Sequence, residues 1–293
     1  MAKRQLSSTE AFDLRQALHV ATLEALMASR RWQPGELIFQ GGTSLHLTHG
    51  SPRYSEDLDF LVKSSLNLEK ISAAMQDRLR ELPWLPMDTT LVVGNARLAH
   101  NPHAFAVTIS GPDVIGSVRV MVELWQTTDR AMADIKVHVA PVRLASGLAA
   151  GMQTFVPTAD LAEIYADKVF ALAARPYLKP RDVFDLHWLV NQNGDQLCDV
   201  HRMQVRLLTY PNETATAWLA KALARKALLA TSHGSVANDL KRWLPSSWPL
   251  SETNVAAMID TALAALEQGM AVMGLLVMEA ETTGQKHETD LSN

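Results

Sequence analysis

The sequence predicts an α+β fold, with a mixed sheet and its helices in the N-terminal half and an all-helical C-terminal half. Three observations lead there. Up to Pro141, short Val- and Ile-rich runs are separated by Gly, Pro and Asp turn signals. Beyond it, long runs of Ala, Leu and charged residues recur at helical spacing. Pro141, Gly147, Gly151 and Pro157 cluster where the character changes. The expected division is residues 1–145 and 146–279, with a disordered polar tail over 280–293.

The elements follow in order. Apolar residues at helical spacing (Phe12, Leu18, Leu23, Leu26, Met27) predict a helix from Ser8 to about Arg31, opened by a Ser7–Glu10 capping box. "ELIFQ" (36–40) is a short buried strand ended by Gly41-Gly42, and "SLHLTHG" is a short helix ended by Gly50. "DLDFLV" (57–62) is a second strand, and an amphipathic helix over 67–82 begins at Asn67. "TTLVVGNAR", "HAFAVTIS", "GSVRVMVELW" and "DIKVHVA" are four more strands, followed by helices in "TADLAEIYADKVFALAAR", "PRDVFDLHWLV", "TATAWLAKALARKALLA" and "ETNVAAMIDTALAALEQGMAVMGLLVM".

Composition excludes several classes. The 293 residues, 47% of them hydrophobic, can bury one large core or two smaller ones. A net charge of −4 leaves no basic signature of a nucleic-acid coater, so such a partner needs a local patch. Cys198, the one cysteine, excludes an internal disulfide framework and a cysteine zinc cluster. The first residues lack an apolar signal-peptide stretch, and no run approaches the roughly 18 apolar residues of a membrane span, so a cytoplasmic chain with no membrane partner is expected.

The chemistry-bearing stretch is "GGTSLHLTHGSPRYSEDLDF", residues 41–60. Two glycines after a strand allow a sharp turn with a ligand held against the backbone. Thr43 and Ser44 then begin a helix whose free N–H groups and dipole favour an anion such as a triphosphate; the alternative is a tight turn capped by Thr43. Asp57 and Asp59 point to one face of their strand, about 7 Å apart. Such a pair suits a hard divalent cation, Mg²⁺ or Mn²⁺, unless it is simply solvated at an edge. A third acid is expected on a neighbouring strand, and Glu123 in "RVMVELW" is the candidate, since Val118, Val120, Val122 and Leu124 take the opposite face.

These residues resemble a family. "GGTSLHL…RYSEDLDF" is similar to the first two motifs, GGTxL and RxSxDxDF, of the AbiEii/AbiGii toxin-type nucleotidyltransferases, which belong to the DNA polymerase β-like superfamily. "ADKVFALAARPYLKPRDVFDLHWLV" resembles their third and fourth motifs, a lysine on one helix followed by R-D-x-x-D-L at the start of the next. The resemblance spans residues 36–190. Gln40 stands where many relatives place a basic residue, and His46 where an arginine is frequent. It implies a polymerase β-like mixed sheet with a helical domain completing the active site. It also implies metal held by Asp57 and Asp59, to which the strand pattern above adds Glu123, and an NTP contacted by Gly41, Gly42, Thr43, Ser44, Arg53, Ser55, Lys168, Arg181 and Asp182. Asp57, Asp59, Glu123, Lys168 and Asp185 are the implied catalytic set. The implied activity is that of a toxin–antitoxin or abortive-infection toxin, transferring NMP to an RNA acceptor, tRNA in relatives, and opposed by a cognate antitoxin from a neighbouring gene. Nucleotidylation of a protein or small molecule, and a non-catalytic nucleotide- or RNA-binding module, are the alternatives.

Other readings rest on the residues alone. Lys168 lies within about 60° of Leu161, Ile164, Tyr165 and Leu172, so its charge needs an anion or must snorkel to water. Asp182 can cap the helix after Pro180, with Asp185 in its first turn. His100 and His103 read as a loop pair. Arg202, Arg206, Lys221, Arg225, Lys226, Lys241 and Arg242 are either a basic face for RNA or scattered surface charges.

Overall fold

The computed structural model describes residues 3–81, 90–97, 101–144, 147, 154–193 and 198–290. The chain divides into two compact units, Met1–Ala133 with Val137–Ala159, and Asp134–Lys136 with Asp160–Asn293. The first unit therefore runs on to Ala159, past the expected boundary at 145. The reason is a strand, Phe155–Ala159, that sequence reading assigned to the junction and that pairs into the sheet.

The first unit contains β1 (Arg4–Gln5), α1 (Ser8–Ala28), β2 (Leu37–Gln40), α2 (Gly41–His49), β3 (Asp57–Lys63), α3 (Leu68–Arg80), β4 (Thr90–Arg97), β5 (His103–Ser110), β6 (Val114–Ile115), β7 (Val118–Thr127), α4 (Asp129–Asp134), β8 (Val137–Pro141) and β9 (Phe155–Ala159). The Ser7–Glu10 capping box opens α1, and Asn67 caps α3 by accepting from the Lys70 N–H at 2.9 Å. Gly50, left-handed at φ 81°, closes α2. Among the described residues, seven strands form one mixed sheet in the order β4-β5-β7-β3-β2-β9-β8. Alternation decides its faces. Leu58, Phe60 and Val62 of β3, Val118 to Leu124 at every second position of β7, and Leu37 and Phe39 of β2 form the core with Leu18, Leu23 and Leu26 of α1 and Ile71 and Met75 of α3. Phe39 and Phe60, opposite each other in register, stack at 4.9 Å. The other face is left to Asp57, Asp59 and Glu123. His103 is the first residue of β5 rather than part of a loop pair, and His100 lies outside the described residues.

The second unit contains α5 (Leu161–Ala174), α6 (Pro180–Asn193), α7 (Val200–Thr209), α8 (Ala215–Leu229), α9 (His233–Leu240) and α10 (Glu252–Asp290). α10 packs Val255, Ile259, Ala262, Leu266 and Met273, a helical stripe, into the unit's core. It continues to Asp290 as helix, which corrects the expectation of a disordered tail from 280. Over Glu252–Thr282 it is also long and apolar enough, by length and composition alone, to cross a membrane, which the sequence reading had not found. Its buried stripe is equally what a core helix of a helical bundle requires.

Candidate active site

β2, β3 and β7 place the acids. In register, Asp59 of β3 stands opposite Glu123 of the parallel strand β7 on one side and Gln40 of the antiparallel strand β2 on the other. Neighbouring strands lie about 5 Å apart, so Glu123, Asp59 and Gln40 form a row, with Asp57 about 7 Å from Asp59 along β3. All three acids are half-buried, while Leu58, Phe60, Val122 and Leu124 beside them are fully buried on the other face. The third acid expected from sequence is thus next to the pair. An oxygen-only set of three carboxylates fits a hard divalent cation. Among the described residues, the side chains are not drawn into a preassembled ligand cluster of three or more.

The glycine turn is explained by what lies against it. Gly41 adopts φ +80°, and a Cβ there would sit 2.4 Å from Asp59 Oδ2. At Gly42 a Cβ would sit 2.1 Å from an Arg53 guanidinium nitrogen and 3.1 Å from Ser55 Oγ. The glycines therefore let the second motif pack its acid, arginine and serine directly against the start of α2, where the helix dipole favours an anion. Gly41→Ala combines a strained φ with that collision. It is expected to reduce nucleotidyl transfer about 100-fold by displacing Asp59, measured with labelled NTP on protein whose circular dichroism matches wild type.

The hydroxyls that follow are engaged elsewhere. Thr43, fully buried, donates to the Asp57 carbonyl, which fixes the start of β3. Ser44 bonds Thr158 Oγ1 at 2.6 Å, and Thr158 donates to the Phe39 carbonyl at 3.1 Å, tying α2 to β9 and β2. In this structure Thr43 and Ser44 brace the turn, and a phosphate can be met there by backbone rather than by these side chains. Arg53 is 2% exposed and donates to the Tyr54 carbonyl at 2.8 Å.

Sequence reasoning missed a polar cluster behind the turn, formed by Gln16 and His19 of α1 and His46 of α2. His19 is fully buried, and its Nε2 lies 2.9 Å from the Glu56 carbonyl oxygen. The signal was two polar residues, three apart, among the apolar positions that α1 buries from Ala17 to Leu26. Burial pushes the His19 imidazole down to about 4, with the carbonyl contact opposing and the neighbouring His46 and Arg15 charges adding. An unfolded histidine takes up its proton near 6.5, well before the folded one, so the associated stability is complete above that pH and is lost as pH falls from 6.5 to about 4. A loss of about 3 kcal/mol over that window is expected in urea unfolding. His19→Gln should flatten it.

In the second unit, the anion that meets Lys168 is a pair of carboxylates. Its ammonium lies 2.7 Å from Asp182 and 2.7 Å from Asp185, with all three side chains buried. Arg175 also pairs with Asp182 and is held by Arg225, which donates to the Arg175 carbonyl at 2.6 Å. Burial would raise the Asp182 carboxyl, but Lys168, Arg175 and Lys179 together hold it well below the usual carboxylate range. Lys168 therefore does not snorkel to water, and Asp182, inside the first turn of α6, directs its carboxylate to this network rather than to a cap. Arg181 stacks on Trp243 at 4.1 Å. A basic face built on Arg206 and Arg225 is also excluded, since both are buried. Arg206 and Arg202 pair with Glu163 at 2.9 and 3.1 Å, while Lys221 and Lys226 pair with Glu213 and Glu267.

Comparison with known proteins gives the family and the fold. No curated protein matches the chain. Among solved structures, MenT4, a nucleotidyltransferase toxin from Mycobacterium tuberculosis, aligns over 90% of this chain and 88% of its own, with 15% identity and a TM-score of 0.53, which shows a shared fold. JHP933 from Helicobacter pylori aligns over 97% of this chain and 100% of its own, with 17% identity and a TM-score of 0.47. The family model of the nucleotidyl transferase AbiEii toxin of type IV toxin–antitoxin systems matches residues 24–245. That match takes in the glycine turn, the three acids and the buried lysine network, and the chain belongs to the AbiEii nucleotidyltransferase toxin family.

Proposed function

We propose that this nucleotidyltransferase toxin uses Mg²⁺ or Mn²⁺ to transfer NMP from an NTP to an RNA acceptor, tRNA in the first instance, with release of pyrophosphate. The observation that carries the reading is the row of Glu123 and Asp59, with Asp57 on the same face, beside a helix start held open by two glycines. Asp57, Asp59 and Glu123 would hold the cation, which when bound polarises the α-phosphate and offsets charge on the leaving pyrophosphate. The backbone N–H groups at the start of α2 and the Arg53 guanidinium supply positive potential for the triphosphate. An RNA hydroxyl attacks the α-phosphorus, a new P–O ester bond forms, and the α–β bridging bond breaks. The hydroxyl proton passes to solvent and the electron pair leaves with pyrophosphate. Site of action in the cytoplasm, and an antitoxin encoded next door, belong to the same proposal.

The test incubates the purified full chain with each labelled NTP and Mg²⁺, once with total RNA and once with protein extract. Label in the RNA fraction with wild type and none with Asp57→Ala is the expected result. Label only in the protein fraction overturns the RNA acceptor. Toxicity on expression that survives Asp57→Ala overturns catalysis as its basis.

A further inference from the structure

The segment Ser51–Glu56 delivers Arg53 and Ser55 to the glycine turn and leads into Asp57, and its two ends are held from outside. His46 Nδ1 lies 2.8 Å from the Ser51 carbonyl oxygen, and His19 Nε2 lies 2.9 Å from the Glu56 carbonyl oxygen. The Gln16 carboxamide bridges the two rings, its Nε2 2.8 Å from His46 Nε2 and its Oε1 3.3 Å from His19 Nδ1. Tyr54, in the middle of the segment, sits edge-on to both His46 at 5.3 Å and Phe12 of α1 at 4.5 Å.

A proton count separates this chain of contacts from ordinary packing. Four contacts, ended by two carbonyl acceptors, need one proton each. Neutral His19 and neutral His46 bring one each, and the carboxamide brings one, on its nitrogen side only. The total is one short. Exchanging the amide oxygen and nitrogen moves the deficit from His19 to His46 and does not remove it. With His19 carrying its proton on Nε2, two lone pairs face each other at the Gln16 Oε1 contact, which is the longest of the four.

We propose that Gln16, His19 and His46 are positioning residues, a relay that clamps the Ser51–Glu56 segment at both ends to set Arg53 and Asp57 for nucleotidyl transfer, and that is one proton short when neutral. The proposal rests on the reading of the Asp57–Asp59–Glu123 site given above. The charged and titratable groups around the relay are Arg15 of α1, ion-paired with Glu56 at 3.4 Å, and Arg53 and Tyr54 of the segment itself. Burial and the two arginines oppose the missing proton, so the relay is neutral at neutral pH. A carboxylate at position 16 reverses the balance, because every contact to it must then be donated by an imidazole or by its own proton.

The test begins with ¹⁵N resonances of the histidine rings in the full chain. The expected result is His46 in the Nδ1–H tautomer and His19 in the Nε2–H tautomer at neutral pH. Gln16→Met should lower kcat about 10- to 100-fold with little change in the KM for NTP, by loosening the segment rather than removing a ligand contact. Gln16→Glu should raise the pH at which the two rings protonate and shift the acid limb of the kcat profile upward. His46→Asn, whose amide can still donate to the Ser51 carbonyl, should recover part of the activity that His46→Ala loses. Rings that titrate like exposed histidines, or a Gln16→Met protein with wild-type kcat and pH profile, overturn the relay. Should Gln16→Met not fold, the wild-type tautomers and the Gln16→Glu profile decide. An active Asp59→Asn protein with both tautomers as expected sinks the site reading alone. An inactive Asp59→Asn protein beside a fully active Gln16→Met sinks the relay alone.

Discussion

Replacing Asp59 by asparagine is expected to lower nucleotidyl transfer about a thousandfold or more, the several kcal/mol that charge stabilisation by the proposed cation would contribute. Asp59 is the middle member of the row, next to Glu123 in register and two residues from Asp57, and its carboxylate lies against Gly41. Asparagine keeps the shape and the half-buried packing but removes the charge, so circular dichroism and thermal unfolding should stay close to wild type. Glu123→Gln should behave alike, since it faces the same way from the adjacent strand. The measurement is transfer of labelled nucleotide by the purified full chain at saturating Mg²⁺. Activity within a few fold of wild type in both variants would remove the acids from the chemistry.

Lys168→Met is expected to act through stability, by about 3–5 kcal/mol, because it leaves the buried Asp182 and Asp185 carboxylates without their shared partner. Asp182→Asn should also destabilise, since Lys168 and Arg175 lose their shared negative charge and one of them then faces an NH2 donor in place of an oxygen. The double variant should cost less than the sum, as expected for residues in one network. Urea unfolding of the full chain reads all three. An unchanged midpoint for Lys168→Met would show that the pair contributes nothing to the fold. The same burial bears on function tests: loss of toxicity in a Lys168 variant can follow from unfolding, so Asp57→Ala and Asp59→Asn probe catalysis more directly.

Much of the site was legible from residues 36–62 because the rules there are local. Alternation puts Asp57 and Asp59 on one face, and a left-handed turn selects glycine at position 41. Glu123 could be chosen from the pattern of β7, since its neighbours Val122 and Leu124 already claimed the core. The strand Phe155–Ala159 was not legible, because a five-residue strand with a proline in it, next to a glycine-rich junction, carries a weak local signal. The shape of the relay was equally hidden. Gln16 and His46 are thirty positions apart, and nothing in either neighbourhood announces the other.

By itself the sequence determined strands β2, β3, β4, β5, β7 and β8, helices α1, α2, α3, α5, α6, α8 and α10, the capping box of α1, the acidic face of β3 and the family motifs. These depend on period, turn chemistry and nearest neighbours. Only the tertiary structure decided that Glu123 stands beside Asp59, that Thr43 and Ser44 brace the turn, and that Lys168 answers to Asp182 and Asp185. Strand register and the pairing of buried charges are settled by contacts between segments far apart in the chain, where burial makes an unpaired charge too unfavourable to leave alone.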